Sequence, residues 1–540
     1  MKTSRVKKNE SDHLASQIPA VVLIKKNRKV VLSLAIIFLF FLTSILSTCK
    51  SKPFIASYAE KGQETVFSGE IRLTPLDFLI GIDENHPLVQ AVNNQADDIL
   101  KGNRMTATVP IIENGKIVKR KFTFTTPSKV KEKDSHLDYA GKSWMWDSSF
   151  HAIILSEKEP GVAKKELRAV CSQQREDGFI PHMNYWAGDG KIPPRWAKEK
   201  GLSQFWSRDY SSDITQPPIL AFALEEVYNE TKDRAYLREM LPKLAKYYDY
   251  LHDKRDPDKD SLVSILHPWE SGWDNSQRWD PVLGLPRDEG PVKRSDIDKK
   301  KIEVFISNVK NGWNEAAIFA EGKFDVEPVD LNVLYCLNIK ILGRLFAEIG
   351  DDDNAYKFSK RADETRIVIF NKMWDGDKYV DLFGKDDVKS SIKAASMFFP
   401  MMLDGEQHYV HLIEKHLLNP NEFASPYGIT TTSRDDPTYA PDNYWRGNVW
   451  HNINYFVARG LKKVYREHGF TPAKEAKNYL MISSYVLLYR HGSSEYFNPE
   501  TGEGYGVKSF GWNGIIRKMF SRSYSGIGEQ NEVLAAASGF

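Results

Sequence analysis

The chain is poor in cysteine, with Cys49, Cys171 and Cys336 as its only three in 540 residues. So few make no disulfide framework and no cysteine-ligated zinc site. Cys171 and Cys336 each sit in an apolar helical pattern and are expected to be buried free thiols. Excess charge of one sign is also missing. The 74 basic side chains stand against 72 acidic ones, which excludes the electrostatic footprint of a nucleic-acid partner. No internal repeat is evident. Strand-like alternation is scarce, which argues against a large sheet. Long apolar runs are absent, with one exception.

That exception is VVLSLAIIFLFFLTSILS, residues 30 to 47, behind a basic segment that includes Lys25, Lys26, Arg28 and Lys29. Charge followed by such a run is an export or anchor signal, not part of the fold. Its length is just enough to span a bilayer. The basic flank is expected to stay cytoplasmic and everything after residue 50 to be exported. Leu46-Ser47-Thr48-Cys49 resembles a bacterial lipoprotein cleavage box, although Thr48 stands where a smaller residue is usual. Lipid attachment at Cys49 and an uncleaved anchor are both open; either holds the protein to a membrane, in the periplasm or at the cell surface. The expected division is residues 1–49 for this segment, 50–79 for a linker and 80–540 for the folded body.

Tryptophan is what the chain has in excess, 13 residues of it. The densest stretch is His267 to Asp280, HPWESGWDNSQRWD, with Trp269, Trp273 and Trp279 among Glu270, Asp274 and Asp280. Indoles around a carboxyl raise its pKa by desolvation, as a general acid needs. Flat rings beside acids also suit a sugar, whose C–H face stacks while its hydroxyls bond to carboxylates. A buried Trp cluster is the structural alternative. Trp146 and Asp147 in WMWDSSFHA open a helix, where Asp147 or Ser148 also reads as an N-cap. His182, beside Asn184, Tyr185 and Trp186, reads as a pocket wall. Tyr444, Trp445, Arg446 and Trp450 combine ring faces with a fixed cation. In SEYFNPETGEGYG, Glu495 adjoins two aromatics and a glycine-rich turn, the pattern of a base held against a close-approaching ligand.

The rest of the chain reads as helices. His86 to Gly102 is a first one, and Thr106 to Thr126 a hairpin turning at Asn114-Gly115. Gly161–Gln174 follows. Then come pairs: Ile219–Asn229 with Asp233–His252, Asp330–Ile349 with Asn354–Trp374, Ser391–Leu403 with His408–Leu418, and Tyr444–His468 with Thr471–Tyr489. Successive helical hairpins predict an all-α assembly, with an α/α barrel as its natural form and the chemistry in the connections. Residues 286–323 are charged and poorly patterned and read as an insertion or lid, with Lys299-Lys300-Lys301 a solvated run.

WMWDSSFHA, GFIPHM, TQPP, ESGWDNSQRWD, YWRGNVW and SEYFNPETGEGYG resemble, in this chain order, glycoside hydrolase family 63 and more distantly the trehalases of family 37. The resemblance runs from about residue 80 to the C-terminus. The compact length is similar to that of the bacterial mannosylglycerate and glucosylglycerate hydrolases and α-glucosidases of family 63. It implies an all-α (α/α)6 barrel with a small β-hairpin excursion and helical insertions, and hydrolysis of an α-glycosidic bond with inversion. It further implies Asp274 as general acid and Glu495 as general base. Substrate contacts are then expected from Trp146, Asp147, His182, Gln216, Trp269, Glu270, Trp445 and Arg446. A carbohydrate is the expected partner, and no metal or other cofactor is required. The trehalase signature beginning PGGRF is absent, and Ile214-Thr215 precede Gln216 where trehalases carry an arginine.

Overall fold

The computed structural model describes residues 65–67, 71–73, 81–113, 116–130, 139–186 and 205–520. All of them lie within one compact unit, residues 53–540. Two short strands, β1 (Thr65–Phe67) and β2 (Ile71–Leu73), pair antiparallel. Helix α1 (Pro87–Asn103) starts where the His86 ring accepts the Leu88 N–H at 3.2 Å, with proline in the first turn. Strands β3 (Arg104–Glu113) and β4 (Lys116–Thr125) form a hairpin with Glu113 opposite Lys116. Then come β5 (Lys142–Trp144), α2 (Met145–Leu155), α3 (Pro160–Val170) and β6 (Met183–Tyr185). Helices α4 (Leu220–Thr231) and α5 (Arg234–Lys254) meet at Asp233, whose carboxylate accepts the Ala235 and Tyr236 N–H groups. They are followed by α6 (Arg294–Lys310), α7 (Glu315–Glu321), α8 (Val329–Ile349) and α9 (Asp352–Lys372). The C-terminal third carries α10 (His451–His468), α11 (Thr471–His491), β7 (Ser494–Phe497) and β8 (Gly504–Lys508).

Six segments touch in a closed succession: α2, α4, α8, the 3₁₀ segment Ala395–Met402, α10 and the 3₁₀ segment Gly511–Met519, which returns to α2. A second set lies against them. α3 touches α2 and α4, α5 touches α4 and α8, α9 touches α8, α11 touches α10, and α1 touches 511–519. The side-chain chemistry matches the two positions. All residues of α2 are buried, as suits a helix enclosed on every side. Helix α9 buries only Phe358, Arg361, Ala362, Thr365 and Ile369 and turns its charged face outward. Phe150, wholly buried in α2, packs on Trp146, Phe456 and Trp512, three different parts of the succession.

Several expectations need correction. The expected helix at 391–403 is only the 3₁₀ segment 395–402, because Pro400 cannot continue an α-helical ladder. The segment from Tyr444 becomes helical only at His451, since Trp445 has a φ of 62° that no α-helix accommodates. Residues 408–418 form one short α-turn followed by a π-turn, Leu412–Leu417. The stretch 286–323 is not irregular but carries α6 and α7, with Ile297, Val304 and Phe305 buried. Lys301 is only 5% exposed, so the lysine run is not solvated throughout. The span expected as a linker carries β1 and β2, and Leu73 joins the main core. The hairpin turn 114–115, the lipobox-like Cys49 and the whole apolar run lie outside the described residues. Among the described residues no helix is long and apolar enough to cross a membrane.

Gly178, in the turn after α3, has a φ of 101°, and a side chain there would collide with the backbone carbonyl of Lys246 in α5. Neither backbone can yield cheaply. Gly178→Ala is expected to cost roughly 2–4 kcal/mol from strained φ and overpacking together, read as a lower urea midpoint at an unchanged m-value.

Candidate active site

One cavity of about 500 Å³ collects the residues that the motifs single out. Its walls come from connections that lead into a segment of the inner succession. Tyr139, Trp144, Trp146 and Asp147 stand before or at the start of α2. His182, Trp206 and Gln216 lie between α3 and α4, and Trp269 and Asp274 between α5 and α8. Tyr444 and Trp445 precede α10, and Glu495 and Phe510 precede the segment 511–519. Residues far apart in the chain therefore share one chamber.

Within His267–Asp280 the three acids have three different surroundings. Glu270 is fully buried and receives both Arg255 guanidinium nitrogens, at 2.8 and 2.9 Å, and the N–H groups of Thr215 and Leu266. Its lone pairs are thereby used, and it does not line the cavity. Asp280 is equally buried and paired with Arg446 at 3.0 and 2.6 Å. Asp274 has no ion-pair partner among the described residues and opens onto the cavity. Two corrections follow for the expected substrate contacts. Glu270 and Arg446 are clamps, each turned away from the cavity by an opposite charge, and Arg446 also donates to the Asn275 carbonyl at 2.9 Å.

Glu495 is 1% exposed on β7. Its Oε1 accepts from the hydroxyls of Tyr139 and Tyr444, both at 2.9 Å, and its Oε2 from the Val507 N–H at 3.2 Å. The glycine-rich turn serves this carboxylate rather than a ligand. Gly506 has a φ of 68°, and a Cβ there would lie 2.5 Å from Oε2. Trp445 stacks on Trp450 at 3.5 Å and on Trp273 at 5.3 Å. A left-handed φ at so bulky a residue is strain that the stack maintains. Gly272 must lack a Cβ for the same kind of reason, since one would fall 2.5 Å from the Trp146 ring. Gln216 accepts the Trp146 N–H at 3.2 Å, and the His182 Nδ1 lies 2.5 Å from the Ser212 hydroxyl. The expected residues Trp146, Asp147, His182, Gln216, Trp269 and Trp445 thus line one chamber with both acids.

Sequence reasoning missed Tyr139 and Lys301, and it singled out Tyr444 for its ring face rather than for the hydroxyl that reaches Glu495. Nothing in the sequence marked Tyr139. Lys301, from α6, ion-pairs with Asp298 at 3.0 Å and bonds to Asn275, the neighbour of Asp274. It brings a buried cation close to the candidate acid.

Burial dominates the titration of the site. It holds Asp274 at about 6, against the lowering influence of Lys301, and Glu495 at about 7, against the hydrogen bonds of Tyr139, Val507 and Tyr444. Asp147 is held well above the ordinary carboxyl range by burial and by facing Glu495 and Asp274. Burial pushes His182 down to about 3, so it stays neutral. Burial thus raises both carboxyls toward neutrality, opposed at Asp274 by Lys301 and at Glu495 by neutral donors.

Residues 140–513 match the mannosylglycerate hydrolase MGH1-like glycoside hydrolase domain. The chain belongs to this family. It is similar to the mannosylglycerate hydrolase of Rubrobacter radiotolerans, 29% identical over 69% of this chain and 89% of that protein. A glucosylglycerate hydrolase of Mycolicibacterium hassiacum is 25% identical over 68% of this chain and 89% of that one. The crystal structure of the family 63 mannosylglycerate hydrolase from Thermus thermophilus, in complex with Tris and D-glycerate, superimposes with a TM-score of 0.63. It is 25% identical and covers 80% of this chain and 100% of the other. The protein is a glycoside hydrolase of family 63.

With carboxyls near 6 and 7, the pH dependence of kcat/KM is expected to be bell-shaped, with limbs at those values and activity lost on either side. Tyr444→Phe removes a donor that favours the Glu495 carboxylate. The upper limb should move to higher pH and the maximum rate should fall, both visible in initial rates across pH 4–10.

Proposed function

We propose that the chain is an inverting α-glycosidase acting on an α-linked gluco- or manno-configured sugar, with a glycosylglycerate as the preferred class. Asp274 donates its proton to the glycosidic oxygen as the bond breaks. Glu495 takes a proton from a water that attacks the anomeric carbon from the opposite face. The observation that carries this reading is the pair of buried carboxyls, Asp274 and Glu495, which have no ion-pair partner among the described residues and open on one aromatic chamber. Trp146 and Trp445 supply stacking faces for the ring, and Asp147 a hydrogen bond to a hydroxyl. Lys142 also lines the cavity and suits an anionic aglycone, in keeping with relatives named for mannosylglycerate and glucosylglycerate. The closed succession of six inner segments with a second set outside supports reading the fold as an (α/α)6 barrel.

The reaction is tested by following the released sugar by NMR from an α-linked substrate. β-Sugar must appear first; initial α-sugar overturns the assignment. Asp274→Asn is expected to lose about 10²–10⁴-fold on natural substrates but to spare activated leaving groups that need little protonation. Glu495→Gln should lose both, because water activation is common to them.

We also propose that the basic and apolar N-terminal segment exports the enzyme and holds it at a membrane, as a lipoprotein at Cys49 or by an uncleaved anchor. The full chain should sediment with membranes and leave them only in detergent. Recovery of unprocessed full-length protein from the soluble cytoplasmic fraction overturns this.

A further inference from the structure

A second cluster of chemically able side chains lies away from the active site. Asp377 stands in the turn after α9, across which Trp374 and Tyr379 pair. His411 and His416 belong to the helical segment 409–417, whose second part, Leu412–Leu417, is a π-turn. Residues five apart diverge by about 140° around an α-helix. The wider π-turn returns them toward one face, and such turns recur at functional sites. Here both rings reach one carboxylate oxygen. His411 Nε2 lies 2.8 Å and His416 Nε2 3.4 Å from Asp377 Oδ1. The three donor atoms all fall within 4.8 Å of one another.

The buried member of the cluster decides what it is for. His416 is 1% exposed, and its Nδ1 lies 2.6 Å from Glu422 Oε2. A carboxylate only accepts, so Nδ1 carries the proton and donates. In the neutral ring Nε2 then holds a lone pair directed at the cluster. That nitrogen is buried and has no hydrogen-bond partner among the described residues. A buried polar atom without a partner is costly, and a histidine oriented through its other nitrogen by a carboxylate is the usual arrangement around a bound metal. Glu422 is itself held by Lys393 at 2.8 Å.

We propose that Asp377, His411 and His416 form a site for a zinc-type divalent cation, with Glu422 as the positioning residue. Two imidazoles and a carboxylate suit first-row divalent ions rather than magnesium or calcium. Tetrahedral bonds of 2.0–2.2 Å place ligand atoms about 3.3 Å apart. The His416 contact already has that spacing, and the His411 contact opens by about half an ångström to reach it. Lys415 contacts Asp377 as well, but it is 52% exposed and can turn to solvent when a cation takes the carboxylate. Asp377 and His411 are partly exposed, which leaves a coordination position to water. None of these residues lines the active-site cavity. The cation would pin the turn after α9 to the segment 409–417, and the proposal is independent of the glycosidase reading.

The test uses the full chain, without a histidine tag, stripped with chelator and titrated with Co²⁺ and then Zn²⁺. One equivalent of Co²⁺ should bind with visible d–d absorption and be displaced by Zn²⁺. His411→Ala and Asp377→Asn should each weaken binding by tenfold or more, and Glu422→Gln by about 10–100-fold. Zn²⁺ should raise the Tm of the parent protein and leave that of His411→Ala unchanged. His411 is partly exposed, so this variant remains informative if His416→Ala fails to fold. Absence of stoichiometric binding, or binding unchanged in both His411→Ala and Asp377→Asn, overturns the proposal and leaves the cluster as an Asp–His–Lys ion network.

Discussion

Three buried arginines organise the molecule around its chemistry. Arg255 holds Glu270, Arg446 holds Asp280, and Arg278 holds Asp330 and Asp381 at 2.6 Å each. Each pair joins the stretch 267–280 to a distant part of the chain: the end of α5, the approach to α10, and the start of α8. Burying such charges costs several kcal/mol per ion, and removing one partner strands the other. What the arrangement secures is selectivity among carboxyls. In a stretch with three acids, two are tied to guanidinium groups, and only Asp274 has no ion-pair partner among the described residues. The same division marks off Glu495, which neutral tyrosine hydroxyls and one backbone amide surround instead of a cation. An environment of burial from which arginine is withheld raises the pKa of both carboxyls, as a proposed acid and base require.

The aromatic residues play a complementary part. Trp273, Trp445 and Trp450 form a continuous stack, and Trp146 closes on Gly272. Of these rings, Trp146 and Trp445 line the cavity together with the two acids. The stack also maintains the left-handed backbone at Trp445, so packing and site geometry cannot be altered separately.

Much of this was legible beforehand. Apolar periodicity together with turn, Gly and Asp stops located α4, α5, α8, α9 and α11 to within a few residues, most clearly at α5 and α9, whose outer faces are polar. It failed where that contrast is missing. The segment 395–402 is buried throughout and contains Pro400, so no polar face disclosed its 3₁₀ winding. Helix α6 is charged over most of its first ten residues, and its three buried apolar positions were too few to stand out. At the site, acids beside aromatic residues marked Asp274 and Glu495 as candidates, and both line the one cavity. A carboxylate that faces a substrate and one that faces an arginine look alike in sequence, however, and so Glu270 and Arg446 were assigned to the substrate. The partner that settles each lies fifteen or more residues away. Lys301 was hidden for the same reason, since only the fold turns one lysine of a run inward.

The closed succession of inner segments has a consequence for how the enzyme is made. The segment 511–519 touches α1, α2 and α10, and it completes a circuit that α2 begins. Until it arrives, α2 and α10 each lack one neighbour of the circuit. A nascent chain therefore carries an unsheltered flank of α2 until residues 511–519 have emerged. Whatever escorts the polypeptide must keep that flank from sticking to other chains until the circuit shuts.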